Sequence, residues 1–149
     1  MTPPAAPVGR PRSRAVATWL ALIGGGLGLH RFYLHGARDL WGWLHPAPTL
    51  VGAYGFWRMR EFGVDDAPGS LLVPFLGVTL ATTMLQAIVY GLASDERWAA
   101  RHGAASAAVQ RGWLTYAGVV LALAIGTSVA VATIAFTAQR YFESRAAIT

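Results

Sequence analysis

Residues 113–138 read WLTYAGVVLALAIGTSVAVATIAFTA, 26 residues without a single Asp, Glu, Lys or Arg. At about 1.5 Å per residue a helix of this length reaches ~39 Å, enough to cross the ~30 Å hydrocarbon layer of a bilayer with some tilt. Residues 71–93, LLVPFLGVTLATTMLQAIVYGLA, repeat the pattern over 23 uncharged residues. A water-soluble helical bundle would need a charged, solvated face on each segment, and neither carries a charge. Both stretches predict membrane-spanning helices.

Two further apolar segments precede them. Ala15–Leu34, AVATWLALIGGGLGLHRFYL, has the length of a span, with His30 and Arg31 near its far interface, where an arginine reaches lipid phosphates. Leu40–Trp57, LWGWLHPAPTLVGAYGFW, is uncharged but interrupted by Pro46 and Pro48, which predicts a kinked or locally unwound helix. Its tryptophans, Trp41, Trp43 and Trp57, lie at its two ends, as expected of interfacial anchors. The expected fold class is therefore an all-α membrane protein with four transmembrane helices, the first two forming a tight glycine-rich hairpin. Its parts are a disordered basic arm over 1–14, the hairpin over 15–60, a second transmembrane pair over 71–138 with a polar loop at 94–112, and a short tail over 139–149. In the polar loop, Ser94 followed by Asp95 and Glu96 predicts a short interfacial helix, with Trp98 at the headgroups. The shorter loop over 58–70 carries an expected turn at Pro68-Gly69.

Composition agrees. Charged residues make up 13% of the 149, about half the usual share, hydrophobic residues 54%, and the mean hydropathy is +0.42. There is no cysteine, which excludes disulfide scaffolds and thiol chemistry. All 12 basic residues other than histidine are arginine, giving a net charge of +5. They punctuate the gaps between apolar runs instead of forming the basic stripe that nucleic-acid binding needs. Abundant Ala and Arg without Lys suggests a GC-rich, bacterial genome. Arg10, Arg12 and Arg14 precede the first apolar stretch as in a signal peptide, but that stretch ends in Leu29-His30-Arg31-Phe32-Tyr33, which is no small-residue cleavage site. A retained anchor is the reading. Four crossings would place both termini on one side, with seven arginines there against five opposite, which favours the cytoplasm.

Helices in lipid associate through small residues that let backbones approach. Gly118, Ala122, Gly126 and Ala130 form an unbroken four-step ladder in the last segment. In the third, Thr79, Thr82, Thr83, Gln86 and Tyr90 share one face at offsets of three and four. The stripe reads as interhelical hydrogen bonding or as the lining of a substrate path.

The most specific stretch is Gly24–Gly36, GGGLGLHRFYLHG. A dinucleotide loop would need glycine where Leu29 stands, and no Gly-Lys-Ser/Thr exists. Arg31 is placed to pair with Asp39 near the turn, and Phe32 and Tyr33 fall at interface depth. With Gly24, Gly28, His30, Arg31, Phe32, Tyr33 and Gly36 in register, and Phe56-Trp57 as a later aromatic pair, residues 14–60 resemble the TM-two domain family. That resemblance implies a two-helix transmembrane hairpin, and location more than activity. It departs at Arg58, where members commonly carry an acidic residue, and at the broken His45-Pro46-Ala47-Pro48.

No catalytic constellation is present: there is no GxSxG, and the paired acids Asp65-Asp66 and Asp95-Glu96 lie in polar loops. His30, His35 and His45 lack helical metal-pair spacing and a completing carboxylate or thiol, so no metal and no cofactor is expected. The expected function is that of a small non-enzymatic integral membrane protein, acting through helix–helix and lipid contacts as an accessory or assembly protein. Its partners would be membrane lipids, further copies of itself or other membrane proteins, without nucleic acid, in the bacterial inner membrane. The alternative is an oligomeric transporter or channel using the polar face of Thr82, Gln86 and Tyr90 with the Pro-broken second segment.

Overall fold

A computed structural model describes residues 11–107 and 112–146. Most of the expected basic arm, Arg111 and the last three residues of the tail lie outside them. The described residues are helical, with no strand among them: α1 (Arg14–Gly24), a 3-10 turn (Gly25–Leu27), α2 (Leu29–His35), α3 (Leu40–Leu44), α4 (Pro46–Phe62), α5 (Ala67–Leu92), α6 (Asp95–His102), α7 (Ala104–Ala107) and α8 (Trp113–Ala146). Two of them, α5 and α8, are long and apolar enough to cross a membrane.

Helix α5 is the axis of the bundle. Helix α4 runs antiparallel to it, Gly52 against Leu76 and Gly55 against Leu72 and Gly69. Helix α8 lines another side, also antiparallel, with Gly126 against Met84 and Gly77 against Thr133. Helix α1 covers only the C-terminal half of α5, from Gly91 beside Thr18 to Gly25 beside Thr83. The core where these meet is small and made of small residues: Ala21, Ala87 and Ala122 are fully buried around Met84.

The helix expected over 15–34 is not continuous. It ends at Gly24, tightens into the 3-10 turn, and reverses at Gly28, whose φ of +74° is left-handed. Helix α2 then returns alongside α1: Leu34 packs with Ala17, and the Tyr33 hydroxyl reaches the Ser13 amide. A straight helix loses here because three consecutive glycines favour no one backbone path and Gly28 supplies the conformation other residues avoid. The first apolar segment thus finishes at the end of the bundle where it started.

Helices α3 and α4 share a near-continuous course, joined through His45, whose dihedrals (−58°, −41°) remain helical. Pro46 and Pro48 remove two amide donors, so the hydrogen-bond ladder is interrupted where α3 passes into α4. The Pro68-Gly69 pair is not a loop turn: both belong to the first turn of α5, where proline is tolerated because its N–H would have no partner anyway. The expected frayed tail is instead a continuation of α8 as far as Ala146.

Polarity follows from these contacts. Arg14 pairs with Asp95 at 2.6 Å at one end, and Arg140 lies 3.6 Å from Asp65 at the other. The start of α1 and the finish of α8 are at opposite ends of the bundle, not together as four full-length crossings would require.

Candidate functional site

Every residue of the Gly24–Gly36 motif has a defined place. Gly24 packs on Leu29 at the reversal. Gly28 lies against the Gly42 carbonyl, and a Cβ there would collide with it. That carbonyl is open to approach because Pro46, four residues on, has no N–H to cover it. The broken end of α1 is satisfied from α4: Thr49 Oγ1 donates to the Gly26 carbonyl at 2.7 Å. Irregular backbone inside a helical bundle needs such partners.

His30 is fully buried at the centre of the reversal. Its ring meets His45 edge-on at 5.4 Å and tilts toward Tyr90 at 5.8 Å. Neither ring nitrogen has a hydrogen-bond partner, and Gln86 Oε1 is likewise buried without one. His45 Nδ1 lies 3.2 Å from the Trp41 carbonyl. Among the described residues no group of three or more His, Asp or Glu is placed to hold a metal ion.

Arg31 donates through Nε to Asp39 Oδ2 at 2.7 Å and through Nη2 to Oδ1 at 3.3 Å. The guanidinium holds the Asp39 carboxyl below its usual range. Phe32 packs edge-on to Trp43 at 5.1 Å and covers Gly42. Tyr33 Oη accepts from the Ser13 amide at 2.8 Å. Gly36 ends α2 with φ 87° and ψ 172°, a region essentially reserved for glycine.

Sequence reasoning missed a recurrence of this turn. Arg58, Gly63 and Asp66 stand at the same offsets as Arg31, Gly36 and Asp39. Gly63 has φ 93° and ψ 170°, its amide donates to the Met59 carbonyl, and Asp66 N-caps α5 by accepting from the Gly69 amide. Arg58 holds the Asp66 carboxyl below its usual range, aided by that amide. The signal was legible as an Arg followed by Gly five residues on and Asp eight on, found twice.

The segment expected as an interfacial helix does form, and Ser94 caps it by accepting from the Arg97 amide. Trp98, however, is not at a surface: it is 2% exposed. Its Nε1 donates to the Arg12 carbonyl at 2.9 Å, while the Arg12 amide donates to Ser106 Oγ at 2.9 Å. Helices α6 and α7 therefore clamp the residues leading into α1. Burial against Trp98, with Arg12 and His35 nearby, lowers the pKa of His102.

The ladder residues line the inner side of α8. Gly118 meets Thr18 and Trp19, Ala122 is fully buried, Gly126 meets Met84, and Ala130 borders a shallow crevice with Ala81. The polar stripe does not gather around one path. Thr79, Thr82 and Thr83 donate to the carbonyls of Phe75, Val78 and Leu80 on their own helix. Thr82 faces outward, Gln86 faces His30, and Tyr90 lies between His30 and Trp98, tilted to the first and edge-on to the second. Small residues on α4, Gly52 and Gly55, carry the α4–α5 contact and were not singled out in the sequence.

Comparison with protein-family models, with curated proteins and with solved structures gives no match to this chain.

Proposed function

We propose that this is a small integral membrane protein that performs no catalysis and acts through lipid and helix contacts as an accessory or assembly protein. One observation carries the reading: a band of large apolar side chains faces outward between two charged ends. On α5 and α8, Leu71, Val78, Leu85, Val120, Val131 and Ile134 are each at least 60% exposed. A contiguous surface of that kind is unstable in water and suited to lipid tails. The bundle ends carry the charge, including the paired turns Arg31–Asp39 and Arg58–Asp66.

In this reading three courses traverse the bilayer, α3–α4, α5 and α8, while α1 and α2 enter from one side and return to it. That replaces the four crossings expected from segment lengths. One end then bears Arg12, Arg14, Arg31, Arg38, Arg97 and Arg101, and the other bears Arg58, Arg60, Arg140 and Arg145. The arginine-rich end belongs in the cytoplasm of a bacterial inner membrane, with the finish of α8 on the opposite side. Transport along the third apolar segment has less support, since its threonine hydroxyls are bonded to their own backbone.

The naturally cysteine-free chain makes the test direct. Ser13→Cys and Ala37→Cys should label from the same side, and Val64→Cys from the other. Labelling of residues 13 and 37 from opposite sides would restore four crossings. Recovery of the chain from the aqueous fraction after membranes are sedimented would overturn the membrane reading. Solute flux through liposomes holding the purified protein would overturn the accessory role.

A further inference from the structure

Beside the Pro46 and Pro48 junction of α3 and α4, a groove of about 600 Å³ opens against α5. Trp41, His45 and Pro48 form one wall, and Phe75, Val78 and Thr82 belong to the other. The lining is almost wholly apolar, and its two threonine hydroxyls, on Thr79 and Thr82, are already donated to the Phe75 and Val78 carbonyls. On α5 the groove runs from Pro74 to Thr82, about 12 Å of helix. Its volume lies within the ~300–1,000 Å³ range of small-molecule sites. An apolar crevice this large is filled, because an empty one forfeits dispersion contacts along both walls.

We propose that the groove binds one acyl chain of an anionic phospholipid whose phosphate is held by Arg38. This rests on the membrane reading above. The crevice lies between the two charged ends and opens sideways, so its occupant comes from the hydrocarbon layer. Trp41, exposed near the start of α3, lines the groove, and an indole suits the boundary between tail and headgroup. Arg38 lies three residues before Trp41 in the turn that leads into α3, is exposed, and has no ion-pair partner among the described residues. Its neighbour Arg31 is spent on Asp39. An exposed guanidinium three residues before the Trp41 that lines an apolar slot is complementary to a phosphate on an alkyl chain, and a guanidinium binds phosphate through two parallel N–H donors.

The test is retention of lipid by the full chain, extracted in mild detergent from vesicles of equal phosphatidylglycerol and phosphatidylcholine and weighed by native mass spectrometry. The expected result is one phosphatidylglycerol retained in preference to phosphatidylcholine. Arg38→Gln, at an exposed turn position that does not threaten folding, should weaken that preference about tenfold. Val78→Trp, which fills the slot, should abolish retention of either lipid. Equal retention of the two lipids by the native chain, or retention unchanged in Val78→Trp, would overturn the proposal. So would a dimer that Val78→Trp dissociates, which would assign the groove to a second copy. A chain that inserts into vesicles yet holds no lipid defeats this inference alone, whereas one that fails to insert defeats the membrane reading.

Discussion

The Arg58 guanidinium grips Asp66 with two parallel hydrogen bonds, Nε to Oδ2 at 2.9 Å and Nη2 to Oδ1 at 2.8 Å, across the turn that opens at Gly63. Arg31 and Asp39 do the same across Gly36 at the opposite end of the bundle. The aspartate at the N-cap position of the incoming helix is thus fixed by an arginine on the outgoing one, so each turn sets the angle between two helices as well as ending one and starting the next. Planar, two-point recognition makes this geometry specific to arginine.

Replacing Asp66 by Asn or Arg58 by Gln should lower the Tm of the detergent-solubilised protein, and the double variant should be little worse than either single one, because the two act as a unit. Both aspartates have folded pKa values below their ordinary carboxylate value near 3.8. Their contribution is therefore complete well above that value and drains away as the pH falls through it toward the folded values. A Tm–pH profile should decline on the acid side, and Asp39→Asn with Asp66→Asn should flatten that decline.

Gly28→Ala should destabilise by about 1–2 kcal/mol from left-handed backbone strain alone, and by more because its Cβ meets the Gly42 carbonyl. Gly112→Ala, where nothing lies within 4 Å of an added Cβ, should leave the Tm unchanged. Equal behaviour of the two in thermal melts would contradict the reversal at Gly28.

His30→Leu should leave stability unchanged or raise it, since both ring nitrogens are buried without partners and replacing an unsatisfied polar group by an apolar one of similar size removes a desolvation penalty of about 1–3 kcal/mol. Thermal melts in detergent measure this. A marked loss of stability would show that the imidazole has a partner within the bundle.

Ala122→Leu should cost about 1–3 kcal/mol by overpacking the fully buried meeting point of α1, α5 and α8. Leu123→Ala, on the outward side of the same helix, should shift stability by no more than about 0.5 kcal/mol. Denaturation in mixed micelles would separate the two.

The sequence was most legible where the physics is local. The cap at Ser94, the interruption between α3 and α4 at His45 and the Arg31–Asp39 pair each depend on residues within about eight positions of one another. Tyr33 and Trp98 were read as interfacial from their chemistry, yet Tyr33 serves the Ser13 amide and Trp98 is buried over Arg12, contacts made across 20 and 86 residues. Nothing in the neighbourhood of either residue in the chain encodes those partners.

By itself the sequence determined an all-helical chain with α5 and α8 long and apolar enough for a bilayer, because hydropathy and the length of an uncharged run are sums over neighbouring residues. Tertiary structure decided that the first apolar segment turns back at Gly28 and that the start of α1 and the finish of α8 lie at opposite ends. The reason is that a run of glycines has no strong preference of its own. Its path is set by the Thr49 hydroxyl, the Gly42 carbonyl and the clamp of α6, groups that meet it only once the bundle is assembled.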